Sequence, residues 1–274
     1  MSLERRQNMW RMPIVYGPST GPRRGPNGLI FDCKNSPKST QVSVSFISSA
    51  DQLNRILPAG FKVAGEHIVT VSGEYMKEID WLAGHGYNTL GVSFPVTFKG
   101  ELDTATGSFL TVLWENLTDP IITGREELGF AKIYCDLPDP QIHGTSATVT
   151  ANWLGFQFMH MNLNDLAEGA QNTQPTLGKS DGTLHYKYMP RTGDWGKSDV
   201  EYAVLTPSTG SNVRVIDQWS GKGTIKWNRA RWEDMPTQWN IVNGIADLEV
   251  KEWLGAKIIH TIGGKDLSDQ RILY

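Results

Sequence analysis

The chain has little of what marks the more specialised classes of protein. It has two cysteines in 274 residues, too few for a disulfide framework, and its six histidines show no metal-ligand spacing. We find no signal peptide and no apolar run long enough to span a bilayer. The formal net charge of −3, with scattered basic residues, gives no reason to expect nucleic acid. We therefore expect a cytoplasmic protein with no metal or other cofactor and no nucleic-acid or membrane partner.

The composition is that of a globular protein with an ample core. Hydrophobic residues make up 39% of the chain and charged residues 20%. Proline and glycine recur at short intervals in the first 28 residues, which predicts an extended arm over residues 1–28. We expect the remainder, 29–274, to form a single β domain. We expect the aromatic side chains Trp10 and Tyr16 of the arm to pack across a subunit boundary in a homo-oligomer.

Alternation dominates the rest of the chain. Val42, Val44 and Phe46 alternate with Ser43 and Ser45, as in a half-buried strand. A short helix is predicted over 51–57, and further strands over 67–75, 91–98, 108–114, 146–161, 183–189, 200–205, 213–219, 224–227 and 245–259. The fold class is therefore mainly β (α+β), with antiparallel sheets and a few short helices.

One lysine stands out as chemically interesting. The stretch 124–132 reads Gly-Arg-Glu-Glu-Leu-Gly-Phe-Ala-Lys, and Leu128, Phe130 and Ile133 give Lys132 apolar neighbours. Burial favours a neutral amine, which can add to a ketone carbonyl and form an electron-withdrawing Schiff base. The alternative is a lysine whose stem covers apolar surface while its ammonium group reaches water.

This stretch also resembles a known family. The pattern Gly-Arg-Glu-x-x-x-Phe-x-Lys after a Pro-Ile-Ile step is similar to the acetoacetate decarboxylase family, and the resemblance extends over residues 42–259. It includes Leu-Asn-Arg-Ile-Leu-Pro at 53–58 and Trp-Ser-Gly at 219–221. The resemblance implies a closed, cone-like β-barrel, with Lys132 as the Schiff-base lysine.

The chain departs from the family pattern at positions that bear on substrate. The family has Pro followed by Lys-Lys, whereas this chain has Ala131 followed by Lys132 and Ile133. The resemblance also implies that the family's arginine and glutamate, which handle the carboxylate of acetoacetate, fall here on Ser39 and Thr89. The lysine is retained, and the substrate is expected to differ.

Two further positions match functional positions of the family. Glu74 falls on an acidic position and is expected to act with Lys132 as a general acid or base. Tyr87 falls on a tyrosine, and we expect it to bind substrate together with Thr89, Ser39 and Phe130. The alternatives are a surface strand residue at Glu74 and a packed core tyrosine at Tyr87.

These observations together predict a Schiff-base-forming carbon–carbon lyase. We expect it to decarboxylate a β-keto acid other than acetoacetate, in a pocket lined by phenylalanines: Phe94, Phe130, Phe156 and Phe158. The first alternative is a pyruvate-dependent aldolase or hydro-lyase on the same scaffold. The second is an inactive relative, or a carbohydrate- or small-molecule-binding module that uses the C-terminal tryptophans Trp195, Trp219, Trp227, Trp232 and Trp239.

Overall fold

A computed structural model describes residues 9–169 and 180–274, and a single large sheet dominates it. The strands of these residues are β1 (Lys38–Ile47), β2 (Phe61–Val63), β3 (Ile68–Lys77), β4 (Tyr87–Lys99), β5 (Thr104–Glu115), β6 (Lys132–Tyr134), β7 (Gln141–His143), β8 (Ser146–Trp153), β9 (Phe156–Glu168), β10 (Gly182–Pro190), β11 (Ser198–Pro207), β12 (Arg214–Trp227), β13 (Glu252–Ile262) and β14 (Arg271–Leu273).

Helical segments are few and short. They are α1 (Ala50–Arg55), α2 (Thr118–Thr123), a π-helical turn (Gly124–Leu128), α3 (Trp239–Ala246) and three 3₁₀ turns (Ile14–Tyr16, Pro26–Gly28 and Asp80–Leu82). The predicted mainly β class is confirmed.

The connectivity of the sheet differs from the prediction in two respects. The strands follow the order β14-β11-β10-β5-β4-β3-β1-β13-β12-β9-β8-β7, with β2 on β4 and β6 on β5, and across the described residues the two ends do not pair. The sheet is therefore not closed into a barrel. Its terminal strands β7 and β14 have three residues each and offer few ladder positions. In addition, β5 pairs in parallel with β6 and with β10. The parallel β5–β6 pair arises because α2 and the π-helical turn bring the chain back to run in the direction of β5.

Alternation in the central strands separates a hydrophobic core from an internal cavity. Val42 and Val44 of β1 are 0% exposed, as their spacing predicts. The serine face is also covered, since Ser43 and Ser45 are 6% and 1% exposed. The prediction of a half-buried strand was therefore wrong, because the polar face is covered as well, and Gln41 at one end of that face lines an internal cavity.

The arm packs on its own chain. Glu127 of the π-helical turn accepts Arg11 Nε on Oε1 at 2.8 Å and Arg23 Nη2 on Oε2 at 2.7 Å, and its side chain is 14% exposed. Pro22 of the arm lines the internal cavity. Tyr16, which was expected to pack, is 86% exposed. Residues 1–8 of the predicted arm lie outside the described residues, and its role in a homo-oligomer stays a prediction.

The two arginine contacts make the arm sensitive to a single carboxylate. Glu127→Gln leaves two part-buried guanidinium groups without a counter-ion, so we expect arm release to become easier by about 1 kcal/mol, or roughly fivefold. Limited trypsin digestion, followed by mass spectrometry, should show cleavage after Arg11 and Arg23 accelerated by that factor. The matched control is Asp165→Asn, which removes an exposed ion pair with Lys222. Equal cleavage rates in the two variants would contradict the assignment.

Candidate active site

A cavity of about 490 Å³ lies against the polar face of β3, β4 and β5. Its wall also includes the turn that precedes β6, the arm, and segments near residues 211 and 264. Apolar side chains such as Leu110, Leu113 and Leu128 alternate there with hydroxyl groups and a few ionisable groups. The cavity is large enough for a small organic substrate.

Lys132 reaches this cavity as the first residue of β6, where it pairs in register with Leu113 of β5. The residue is 6% exposed. Its Nζ lies 2.8 Å from Oε1 of Glu115 and donates to the carbonyl oxygen of Pro120 at 3.1 Å. The Phe130 ring centroid lies 5.6 Å from the same nitrogen. The amine is therefore held away from bulk water by one carboxylate, one carbonyl and one aromatic ring.

The motif before Lys132 provides the space for its side chain. A Cβ on Gly124 would lie 2.3 Å from Lys132 Cδ and 2.4 Å from Cε, so any other residue here would require the end of the lysine side chain to move from its present position. Arg125 donates from Nη1 to the carbonyl oxygen of Lys132 at 2.8 Å. The Gly-Arg pair thus fixes the lysine by packing and by a hydrogen bond.

Glu115, which sequence analysis missed, is the ionic partner of Lys132. The residue ends β5 and is 0% exposed. Apart from the ion pair, neither carboxylate oxygen has a hydrogen-bond partner among the described residues. Desolvation raises the pKa of Glu115, the neighbouring Lys132 lowers it, and Glu74 raises it. The available sequence signal was a charged residue directly after a buried apolar strand.

Four polar side chains form a row across the sheet. Gln41, Glu74, Thr89 and Glu115 are successive register partners on β1, β3, β4 and β5, and all four line the cavity. Neighbouring strands lie about 4.8 Å apart, so Thr89 separates the two acids by two strand spacings. A carboxylate, that of Glu115, therefore lies directly across from Thr89 on the next strand.

Glu74 and Tyr87 both occupy the cavity, where their protonated forms are favoured. Desolvation raises the pKa of Glu74, and a hydrogen bond with the Ser39 side chain partly opposes that rise. The pKa of Tyr87 is raised well above its ordinary value by desolvation and then by the charges of Glu115 and Glu74. Ser39 itself is buried. The cavity thus faces Lys132 with groups able to donate a proton.

Several apolar expectations do not match the cavity wall. Phe130 lines it, whereas Phe94 and Phe158 are 1% and 0% exposed and belong to the hydrophobic core. Phe156 is partly buried against that core, as is Ile133, which follows Lys132 and was expected to surround it. Alternation places consecutive residues of β6 on opposite sides of the strand.

The C-terminal tryptophans lie in different environments. Trp219 and Trp227 pack against the core, and Trp227 contacts Trp114 with ring centroids 6.1 Å apart. Trp195 is 97% exposed and Trp232 is 62% exposed. Two of the residues proposed for a carbohydrate platform are therefore used for core packing.

Within 9–169 and 180–274, no three His, Cys, Asp or Glu residues group in a way that could hold a metal ion. In the same residues, no helix combines the length and apolar character needed to cross a membrane.

Comparison with known proteins agrees with this geometry. The chain matches the model of the acetoacetate decarboxylase family over residues 11–267, which is most of its length. The chain belongs to the acetoacetate decarboxylase family. The family resemblance noted from the motif is thereby confirmed, and the chain is an acetoacetate decarboxylase-like enzyme at this general level. A search of curated protein sequences gave no significant match.

Solved structures share the fold of this family member at low identity. A solved acetoacetate decarboxylase superposes with a TM-score of 0.68 at 16% identity, covering 100% of this chain and 98% of the other. An acetoacetate decarboxylase-like enzyme from Sphingomonas wittichii RW1 gives a TM-score of 0.63 at 20% identity, covering 91% and 96%. The enduracididine biosynthesis enzyme MppR, solved with the condensation product of pyruvate and imidazole 4-carboxaldehyde, gives 0.62 at 15% identity, covering 93% and 97%.

The raised pKa of Glu74 predicts a pH dependence of stability. Because the folded state holds this proton more tightly than the unfolded chain does, stability decreases as pH rises from about 4.3 toward the folded-state value. Glu74→Gln removes that contribution. The free energy of unfolding of the variant, from urea titrations at a series of pH values, should therefore increase relative to wild type across this window. Parallel profiles would contradict the prediction, and Glu101→Gln, at an exposed position, is the control.

Proposed function

We propose that this member of the family is a Schiff-base-forming carbon–carbon lyase that decarboxylates a β-keto acid other than acetoacetate. The observation that carries the proposal is the 2.8 Å contact between Lys132 Nζ and Glu115 Oε1, both of which line the larger cavity. A nucleophilic lysine must lose a proton before it attacks, and a carboxylate with a raised pKa at contact distance can accept it. Proton transfer converts a buried ion pair into a neutral pair, which lowers the desolvation cost.

The proposed steps use side chains of the chain and water. The neutral Lys132 amine adds to the ketone carbonyl, and the carbinolamine loses water, with a proton supplied by Glu115, to give the iminium. The bond between the α-carbon and the carboxylate then breaks, its electron pair moves into the iminium, and carbon dioxide and an enamine remain. Glu74 protonates the enamine carbon, and hydrolysis releases the ketone and regenerates the amine.

The charges of the cavity favour loss of a carboxylate. Among its described lining residues the basic groups are Lys132 and Lys265, and Lys265 Nζ is bound to Asp269 at 2.8 Å. A substrate carboxylate near Glu74 and Glu115 therefore lies beside like charge or a neutral acid, and its departure as neutral carbon dioxide removes the repulsion.

Three cavity residues are proposed to bind the substrate, and Ser39, which was predicted to bind it too, is proposed to act through Glu74 because it does not line the cavity. Tyr87 and Thr89 contact its polar end, Phe130 covers its apolar part, and Ser39 holds Glu74 in place. With Ser39 and Thr89 in place of the family's arginine and glutamate, acetoacetate itself is a poor substrate in this proposal. We also propose that the enzyme is cytoplasmic and works as a homo-oligomer.

A pyruvate-dependent aldolase or hydro-lyase is the second candidate. The observation that favours it is that Glu74 and Tyr87 face the cavity in environments that retain their protons. An enamine formed on Lys132 could add to an aldehyde whose oxygen takes the proton of Glu74. Carbon dioxide release from a β-keto acid distinguishes decarboxylation from this reaction.

The Schiff base can be tested by borohydride trapping. We expect incubation with β-keto acids, their ketone products or pyruvate to add a reducible imine, found by peptide mass spectrometry on Lys132. Lys132→Arg should abolish the adduct because guanidinium does not deprotonate in this pH range. An adduct on another lysine, or none with any compound of the panel, would overturn the proposed function.

The glycine that accommodates the lysine provides a second test. Gly124→Ala places a methyl group where Lys132 Cδ and Cε now lie, and we expect at least a tenfold loss of trapping rate. Gly244→Ala is the matched control, because a Cβ there meets nothing within 4 Å. Equal trapping rates in the two variants would show that imine formation does not depend on the present position of the Lys132 side chain.

Glu115→Gln separates proton transfer from positioning. Glutamine keeps the size and polarity of the side chain but cannot accept the lysine's proton. We expect imine formation to slow by about 10²-fold or more, with the final extent of trapping retained. The measurement is the trapping rate in quenched samples, with circular dichroism as the check on folding. A wild-type rate would remove Glu115 from the mechanism.

A further inference from the structure

A second, smaller cavity lies on the other side of the turn that positions Lys132. It has a volume of about 190 Å³, and its wall includes Arg125, Phe130, Tyr186 and Lys187. Phe130 also lines the larger cavity, so its ring forms part of the partition between the two. This cavity has no part in the proposed reaction.

Lys187 is the unusual member of this wall. The residue is 8% exposed, and its Nζ donates to the carbonyl oxygen of Glu126 at 2.6 Å and lies 5.9 Å from the Tyr202 ring centroid. No carboxylate of the described chain forms an ion pair with it. A buried ammonium without a counter-ion is costly, so its charge is available to an incoming anion.

The backbone is shaped to admit this lysine. Gly129 has a φ of 81°, and a Cβ there would lie 2.9 Å from Cβ and 3.0 Å from Cδ of Lys187. Gly129 thus accommodates Lys187 much as Gly124 accommodates Lys132. One short turn therefore gives space to two lysines, and each of them lies at a separate cavity.

Arg125 supplies a second positive charge. Its Nη1 donates to the Lys132 carbonyl oxygen, and within the described residues its guanidinium forms no ion pair. The nearby Glu201 is engaged by the Tyr186 hydroxyl at 2.9 Å and by Ser198 at 3.2 Å. A small cavity with two cations and no lining carboxylate matches an oxyanion, which arginine binds through paired N–H groups.

We propose that this cavity is a binding site for a small oxyanion, such as phosphate or a carboxylate, held by Lys187 and Arg125. The anion neutralises both cations and contacts the rear of Phe130, beside the Schiff-base lysine. The bound oxyanion group can come from a free ion or from an acidic side chain of a second copy of the chain.

Calorimetric titration of the full chain with inorganic phosphate, in Tris buffer at constant ionic strength, tests this site. We expect saturable binding of one phosphate per chain. Lys187→Met and Arg125→Gln should each weaken binding at least about tenfold, because each removes a charge-assisted hydrogen bond. Lys222→Met is the matched control, since its side chain is 85% exposed and pairs with Asp165, and it should bind like wild type.

The outcomes separate the proposal from its alternatives. Absence of phosphate binding, or wild-type affinity in both site variants, would overturn it. Arg125→Gln changes an exposed residue, so it keeps the test valid if Lys187→Met fails to fold. Light scattering during the titration identifies the source of the anion: unchanged mass supports a free ion, whereas a phosphate-induced fall in mass supports displacement of a carboxylate from a second copy. Imine trapping at Lys132 is measured in a separate experiment, so failure of the Schiff-base proposal and failure of the oxyanion-site proposal can be told apart.

Discussion

The buried contact between Lys132 and Glu115 is the constraint on which the rest of the site depends. Two opposite charges inside a cavity must be matched, because either one alone would carry a large desolvation cost. The pair can be neutralised by moving one proton along a 2.8 Å contact, without rearrangement of the chain. Glu115 ends β5 and Lys132 begins β6, and the parallel pairing of these strands brings the two side chains together. The parallel crossover in a mostly antiparallel sheet is therefore what brings the two charges together.

Sequence analysis predicted the fold class because the strands alternate clearly. It placed β3 within two residues of its observed bounds and recognised the alternation inside β1, whereas it started β4 and β5 four residues late. It singled out Lys132 from the motif and the family resemblance. It merged β8 and β9 into one strand, since Leu154 and Gly155 form a tight turn inside a continuous β-like pattern. It also began its last strand at Ile245, inside the last two residues of α3 and seven residues before β13. It could not predict that the polar face of these strands borders a cavity. Alternation of apolar and polar residues is the same whether the polar face lines a cavity or is exposed to solvent.

Glu115 was missed for a different physical reason. Its importance comes from register: Glu74, Thr89 and Glu115 are opposite one another on three strands whose pairing spans 42 positions of the chain. The pairing register of strands that are distant along the chain cannot be read from the residues adjacent to Glu115. A comparison by alignment sees a threonine at position 89 and infers that the acid is gone. In three dimensions a carboxylate is present on the neighbouring strand, at Glu115, where it contacts Lys132 at 2.8 Å.

Most residues of the motif around Lys132 position other residues of the candidate site. Gly124 leaves space for the lysine stem, Arg125 holds the lysine's carbonyl oxygen, and Glu127 binds two arginines of the arm that covers the cavity. Gly129 leaves space for Lys187 on the opposite side. Each of these contacts fixes a position, and a rigid position is what allows one amine to meet one carbonyl group in a productive orientation. In the proposed function a single side chain of this turn reacts, whereas Gly124, Arg125, Glu127 and Gly129 of the same turn fix the geometry around it.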